Sequence, residues 1–149
     1  MKLGQQIRGD GPKHHLAKSG TPTMGGILIL FAVVLSTLLW ADIERPYVWL
    51  VLAAMVGFGA IGFADDYLKF IKAQSKGLSV WQKFTAQVAL ALAIALLLYF
   101  LPGYTTKLSI PFFKNVVPDL GWLYVAFAVL VIVGSSNAVN LTDGLDGLA

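Results

Sequence analysis

Residues 47–69 read YVWLVLAAMVGFGAIGFADDYLK. From Tyr47 to Ala64 the stretch carries no charge, and it then delivers two adjacent carboxylates, Asp65 and Asp66. An uncharged run of this length suits a helix crossing a hydrocarbon core about 30 Å thick at about 1.5 Å per residue. On either side lie three more runs of the same kind, at 24–40, 84–101 and 120–139, the first being the shortest. One such run can be the buried helix of a large soluble protein. Four in a chain of 149 residues leave too little polar sequence to cover them. The expected fold is therefore all-α: a polytopic membrane protein with about four transmembrane helices.

Composition agrees. The chain is 57% hydrophobic and 13% charged, with mean hydropathy +0.73. A soluble domain carries nearer a quarter charged residues. Here the charges sit in short blocks between the runs, as in a chain whose solvent alternates between lipid and water. Trp40, Tyr47, Trp49, Tyr99 and Trp122 lie at or near run ends, like an aromatic belt. The net charge of +3 is small and lies in loops, which argues for membrane orientation and against nucleic-acid binding. The absence of cysteine excludes disulfides and thiolate metal sites. No cleavable signal peptide is expected, because the residues before the first run are polar and rich in Gly and Pro.

Lys and Arg set the orientation. Lys2, Arg8, Lys13 and Lys18 precede the first run, and Lys69, Lys72, Lys76 and Lys83 follow the second. The other two loops hold only Arg45, Lys107 and Lys114. By the positive-inside rule, segments 1–23, 65–83 and 140–149 are cytoplasmic. The carboxylates after the second and fourth runs then share one face. The loop 102–119 holds Pro102, Pro111 and Pro118, and its alternation over 107–113 suits a short hairpin or an interfacial segment.

Three clusters could carry chemistry. Asp65 and Asp66 repel each other at a membrane boundary, and a cation relieves that repulsion. Hard oxygen ligands suit Mg²⁺, which takes one or two carboxylates together with phosphate and water. The plain alternative is a solvated helix end. The fourth run ends in SSNAVNLTDGLDGLA, residues 135–149, where Asn137, Asn140, Asp143 and Asp146 recur every three positions, close to one helical stripe unless Gly144 interrupts it. A polar cap is the plain alternative there. DGLDG lacks the spacing of a calcium loop. The N-terminal GPKHHLAKSGTPTMGG, residues 11–26, offers Lys13, His14, His15 and Lys18 in a turn-forming setting. It suits a phosphate or carboxylate, or it is a basic arm drawn to anionic lipid. Paired carboxylates with Mg²⁺ and nearby cations are the parts of a phosphoryl-transfer site. At a membrane surface, such a site would take one substrate from water and one from lipid.

These residues also carry a resemblance. GPKHHLAKSGTPTMGG, GFADDYLK (62–69), KGLS (76–79) with its following QKF (82–84), and SSNAVNLTDGLDGLA resemble, in order, the motifs of the phospho-N-acetylmuramoyl-pentapeptide transferase family. That family falls within the polyprenyl-phosphate N-acetylhexosamine-1-phosphate transferases. The resemblance implies a bacterial inner-membrane enzyme, with its active site on the cytoplasmic face. It implies Mg²⁺-dependent transfer of phospho-MurNAc-pentapeptide from UDP-MurNAc-pentapeptide to undecaprenyl phosphate, giving lipid I and UMP in peptidoglycan synthesis. Asp65 and Asp66 match the family's catalytic acidic pair, acting as base or nucleophile on the lipid phosphate. With Asp143 they are the expected metal ligands. Asp143, Gly144, Leu145 and Asp146 match a nucleotide-binding segment, and Lys18 a nucleotide-pocket lysine. Asn137 and Asn140 match polar active-site positions, and Lys69, Lys76 and Lys83 match diphosphate-contact positions. A homodimer is also implied.

The sequence departs from the pattern in places. The family has about ten transmembrane helices and more than twice this length, so the chain is expected to be a fragment that would not turn over alone. Its first helix, a later metal-binding aspartate and a histidine-rich loop are not found here. His14 stands where serine or threonine commonly precedes the histidine at His15. Two alternatives compete with this reading. A sister transferase would move another N-acetylhexosamine phosphate, but GTPTMGG (20–26) replaces the arginine-containing loop expected there. A small transporter subunit would need polar groups within its spans, whereas the acidic residues lie at span ends.

Overall fold

The computed structural model describes residues 25–72, 77–112 and 116–143. The described residues form four helices and no strand: α1 (Gly25–Trp40), α2 (Pro46–Lys72), α3 (Val80–Tyr99) and α4 (Leu123–Asp143). Three of them contain segments long and apolar enough to cross a membrane, Pro46–Leu68, Val80–Tyr99 and Leu123–Asn140, and Gly26–Trp40 is a shorter apolar helix. Only 6% to 17% of each span's most apolar window is buried. Leu28, Leu39, Leu130 and Val139 are each at least 70% exposed. A water-soluble fold could not leave so much apolar surface uncovered. The expected all-α polytopic architecture is the one that forms.

Lipid offers no hydrogen bonds, so polar side chains within the helices bond back to their own backbone. Thr37 Oγ1 donates to the Val33 carbonyl at 2.7 Å, and Thr85 Oγ1 to that of Trp81 at 2.8 Å. Charges stay in the turns. Between α1 and α2, Arg45 Nε meets Asp42 Oδ2 at 3.1 Å. Pro46 then opens α2 at the position where a missing N–H is harmless.

The chain divides into two units, Met1–Ala86 and Gln87–Ala149, and the division falls within α3. In the first, α1 packs on α2. A methyl on Gly59 would come 2.8 Å from Leu30 Cδ2, so a side chain there would force that leucine aside. Gly62, one turn further along α2, faces open space. α2 continues through Asp65 and Asp66 to Lys72. α3 begins at Val80, ahead of the apolar run at 84, because Ser79 and Gln82 form a reciprocal capping box. The Ser79 amide donates to Gln82 Oε1 at 3.1 Å, and the Gln82 amide to Ser79 Oγ at 3.2 Å.

In the second unit, Ala95 of α3 packs with Val125 and Ala128 of α4. Tyr99 stacks on Trp122 at 4.6 Å, just before α4 begins. The connecting loop makes a short antiparallel contact at Lys107 and Asp119. The Leu108 amide donates to the Pro118 carbonyl at 2.9 Å, and the Leu120 amide to that of Thr106 at 3.2 Å. Among the described residues of the loop, where a short hairpin or an interfacial segment was expected, this is the one bridge. Asp119 closes it, accepting from the Thr106 hydroxyl and, at 3.1 Å, from the Gly121 amide. The Thr106 hydroxyl, then the Gly121 amide and the Lys107 charge, hold the Asp119 carboxyl below the usual carboxylate range.

A carboxyl titrating lower when folded stabilises this clasp fully above the ordinary pKa of about 3.9. That stabilisation is lost as pH falls through the lower folded value. The Gly121 amide proton shift, followed by NMR in detergent micelles, should hold steady from pH 7 to about 5 and move below about 4. In Asp119→Asn the pH-dependent movement should disappear.

Candidate active site

α2 presents Asp65 and Asp66 near its end. Successive residues on a helix point about 100° apart, so the two carboxylates cannot share one surroundings. Asp65 is buried, at 8% exposure. Its Oδ1 accepts from the Leu78 amide at 2.8 Å, across the turn that leads into α3. Asp66 is exposed. It lines an apolar groove of about 600 Å³ between α1 and α2, with Ile29, Leu30, Met55, Gly62 and Phe63 among its walls. Phe63 stacks on Tyr67 at 5.7 Å on the same stretch of helix. A buried, amide-held carboxylate thus sits beside an exposed one that faces an apolar channel.

Exposed carboxylate oxygen is a hard ligand of the kind Mg²⁺ takes, and one or two such groups suffice when phosphate and water complete the shell. The donor chemistry of this pair therefore fits the ion. No cluster of three His, Asp or Glu side chains that would hold a metal unaided occurs among the described residues.

Asn137 and Asn140 lie in α4, within the second unit. The Asn137 Nδ2 donates twice, to Gln87 Oε1 at 2.9 Å and to the Val133 carbonyl at 2.8 Å. Gln87 is buried, at 4% exposure. Asn137 thus ties α4 to α3. Asn140 is exposed. Asp143 is the last residue of α4, so Asn137, Asn140 and Asp143 share one continuous helix as their spacing required. Lys83, half-buried, stands in the first turn of α3. Lys18, Lys76, Gly144, Leu145 and Asp146, and the side chains of Lys69 and Asp143, lie outside the described residues.

Sequence reading passed over Gln87, Gly77 and Leu78 as participants. Gln87 had a visible signal, as an uncharged polar residue within an apolar run. Gly77 and Leu78 lie within the KGLS motif, but their contact with Asp65 appears only when the turn folds back onto α2.

The glycosyl transferase family 4 model matches residues 48–149, which include both carboxylates, Gln87 and the asparagines. This chain belongs to glycosyl transferase family 4. The phospho-N-acetylmuramoyl-pentapeptide-transferase signature 1 matches residues 18–30. Among curated members of the family, the phospho-N-acetylmuramoyl-pentapeptide-transferase of Syntrophus aciditrophicus is 56% identical over 149 residues, covering 100% of this chain. That of Desulfotalea psychrophila is 58% identical over the same length. The one from Nitratidesulfovibrio vulgaris is 62% identical over 135 residues, or 91% of this chain. The chain spans 42% of the length of the first two and 38% of the third.

Replacing Gln87 with leucine should leave the Asn137 amide with the Val133 carbonyl alone. Interhelical hydrogen bonds in membranes contribute about 0.6 kcal/mol on average and at most about 1.7. Gln87→Leu should destabilise the protein within that range in a detergent unfolding titration. Unchanged stability would show that the pair does not hold α3 to α4.

Proposed function

We propose that this chain, within a protein of its relatives' full length, forms part of a phosphoglycosyl transferase. The reaction moves phospho-MurNAc-pentapeptide from UDP-MurNAc-pentapeptide to undecaprenyl phosphate, yielding lipid I and UMP. The observation that carries the reading is the pairing of carboxylates at the end of α2, one buried and one opening onto an apolar groove. The signature at residues 18–30 favours a muramoyl-pentapeptide donor over another N-acetylhexosamine donor.

In this reading an oxygen of the lipid phosphate forms a new bond to the β-phosphorus of the donor. The bridging bond to the α-phosphate breaks, and UMP leaves with the bonding electrons. The groove beside Asp66 lets a lipid-borne phosphate reach the pair while its prenyl chain stays in apolar surroundings. One carboxylate of the pair takes the proton of the lipid phosphate, or attacks the β-phosphorus and is displaced in a second step. Asp65, Asp66 and Asp143 would hold Mg²⁺, whose charge neutralises phosphate oxygens as bonds change. Lys18, Asp143, Gly144, Leu145 and Asp146 are the proposed nucleotide contacts, and Lys69, Lys76 and Lys83 the proposed diphosphate contacts. Asn137 and Asn140 are proposed polar positions of the active site. The Lys and Arg distribution supports an active site on the cytoplasmic face of the bacterial inner membrane.

Membranes holding a full-length protein with these residues should release UMP from UDP-MurNAc-pentapeptide, given Mg²⁺ and undecaprenyl phosphate. Release from UDP-GlcNAc alone, or no release, would reject the reading. Asp65→Asn and Asp66→Asn should each lower the rate at least about 10²-fold, the scale of losing an acid–base or electrostatic group. Near-normal turnover in both would remove the pair from the chemistry. Gly62→Leu tests the groove separately, because Gly62 lines it and has open space. That variant should raise KM for undecaprenyl phosphate at least about tenfold and leave KM for the nucleotide donor within about twofold, since even one extra methylene in an apolar pocket shifts binding by about 1–3 kcal/mol.

A further inference from the structure

The turn between α2 and α3 makes an unusually close approach to Asp65. A Cβ built on Gly77 would fall 2.6 Å from the Asp65 carbonyl oxygen and closer still to its Oδ1. Of the glycines with described surroundings, Gly26, Gly62 and Gly134 face open space. Gly59 meets only the methyl end of Leu30, which can swing away. Gly77 alone among them is pressed against helix backbone and a carboxylate, and backbone cannot yield cheaply. One residue on, the Leu78 amide donates to Asp65 Oδ1 at 2.8 Å. The next residue, Ser79, caps α3 through its exchange with Gln82. The entry to α3 is therefore fixed at two adjacent points, and one of them is the carboxylate of Asp65.

We propose that Gly77 and the Leu78 amide are positioning residues that orient the Asp65 carboxylate for transfer. The proposal rests on the reading of Asp65 as one of the reacting pair. An aspartate has two side-chain torsions to set. An amide donor fixed by a capped helix sets them without a moving part, and only glycine lets that amide come close enough. Any side chain at residue 77 displaces the turn, and the carboxylate loses its donor.

Gly77→Ala should be tested in the full-length protein against Gly134→Ala, a change into open space on α4. We expect Gly77→Ala to lower kcat at least about tenfold and to keep KM for UDP-MurNAc-pentapeptide within about twofold, since misplacing a reacting group by about 1 Å costs on the order of 10²-fold. Gly134→Ala should leave both parameters unchanged. Hydrogen exchange of the Leu78 amide, read from overlapping peptides, gives a measure independent of activity. The amide should be protected in the parent, and exposed in both Gly77→Ala and Asp65→Ala. Parent turnover in Gly77→Ala would overturn the proposal, as would a Leu78 amide that stays protected in Asp65→Ala. If Asp65→Asn itself keeps normal turnover, the assignment of Asp65 to the reacting pair fails instead, and exchange at Leu78 still decides whether the clamp exists.

Discussion

A hydrocarbon solvent supplies no hydrogen bonds, and this chain is arranged around that fact. Each backbone amide in a span must find its carbonyl within the same segment, so helices form wherever the sequence stays apolar. Side-chain polar groups obey the same rule. Thr37 and Thr85 return their hydroxyls to the preceding turn. Gln87 and Asn137 satisfy each other across α3 and α4. Ionised groups are excluded from the interior of the spans and collect where water begins. The carboxylates of α2 accordingly lie near one end of its apolar span.

At that boundary a helix imposes a second constraint. Neighbouring residues cannot face the same way, so an adjacent acidic pair is split into two unlike positions. Asp65 turns towards the α2–α3 turn and is buried against the Leu78 amide, while Asp66 faces the groove between α1 and α2. Two identical side chains acquire different surroundings without any difference in sequence chemistry. Asn137, whose amide is used in packing, and Asn140, which is exposed one turn further along α4, also differ in their surroundings.

Much of the fold was legible because apolar length translates directly into helix length. The runs at 47–64, 84–101 and 120–139 each lie largely within a helix, and the run at 24–40 coincides with α1 over its described part. Helix ends were harder to place, because hydropathy marks where lipid stops and not where hydrogen bonding stops. α2 runs on through Asp65 and Asp66, and α3 starts at its Ser79–Gln82 cap. The S-x-x-Q spacing of that cap was readable, and polarity hid it. Glycine was legible only as potential. Gly59, Gly62 and Gly77 look alike in sequence, yet one meets a leucine methyl, one faces space and one is pressed against a carboxylate.

The sequence by itself determined a membrane-embedded helical chain and supplied the carboxylates and carboxamides that are proposed to act. Those properties follow from composition along the chain, which one dimension records. Only the tertiary structure decided which aspartate is buried and which is exposed, that Asn137 is joined to Gln87, and that Gly77 lies against Asp65. Each of these depends on a contact between residues distant along the chain, between 12 and 50 positions apart. No local pattern encodes such distances, because they arise only when packed helices bring their ends and turns together.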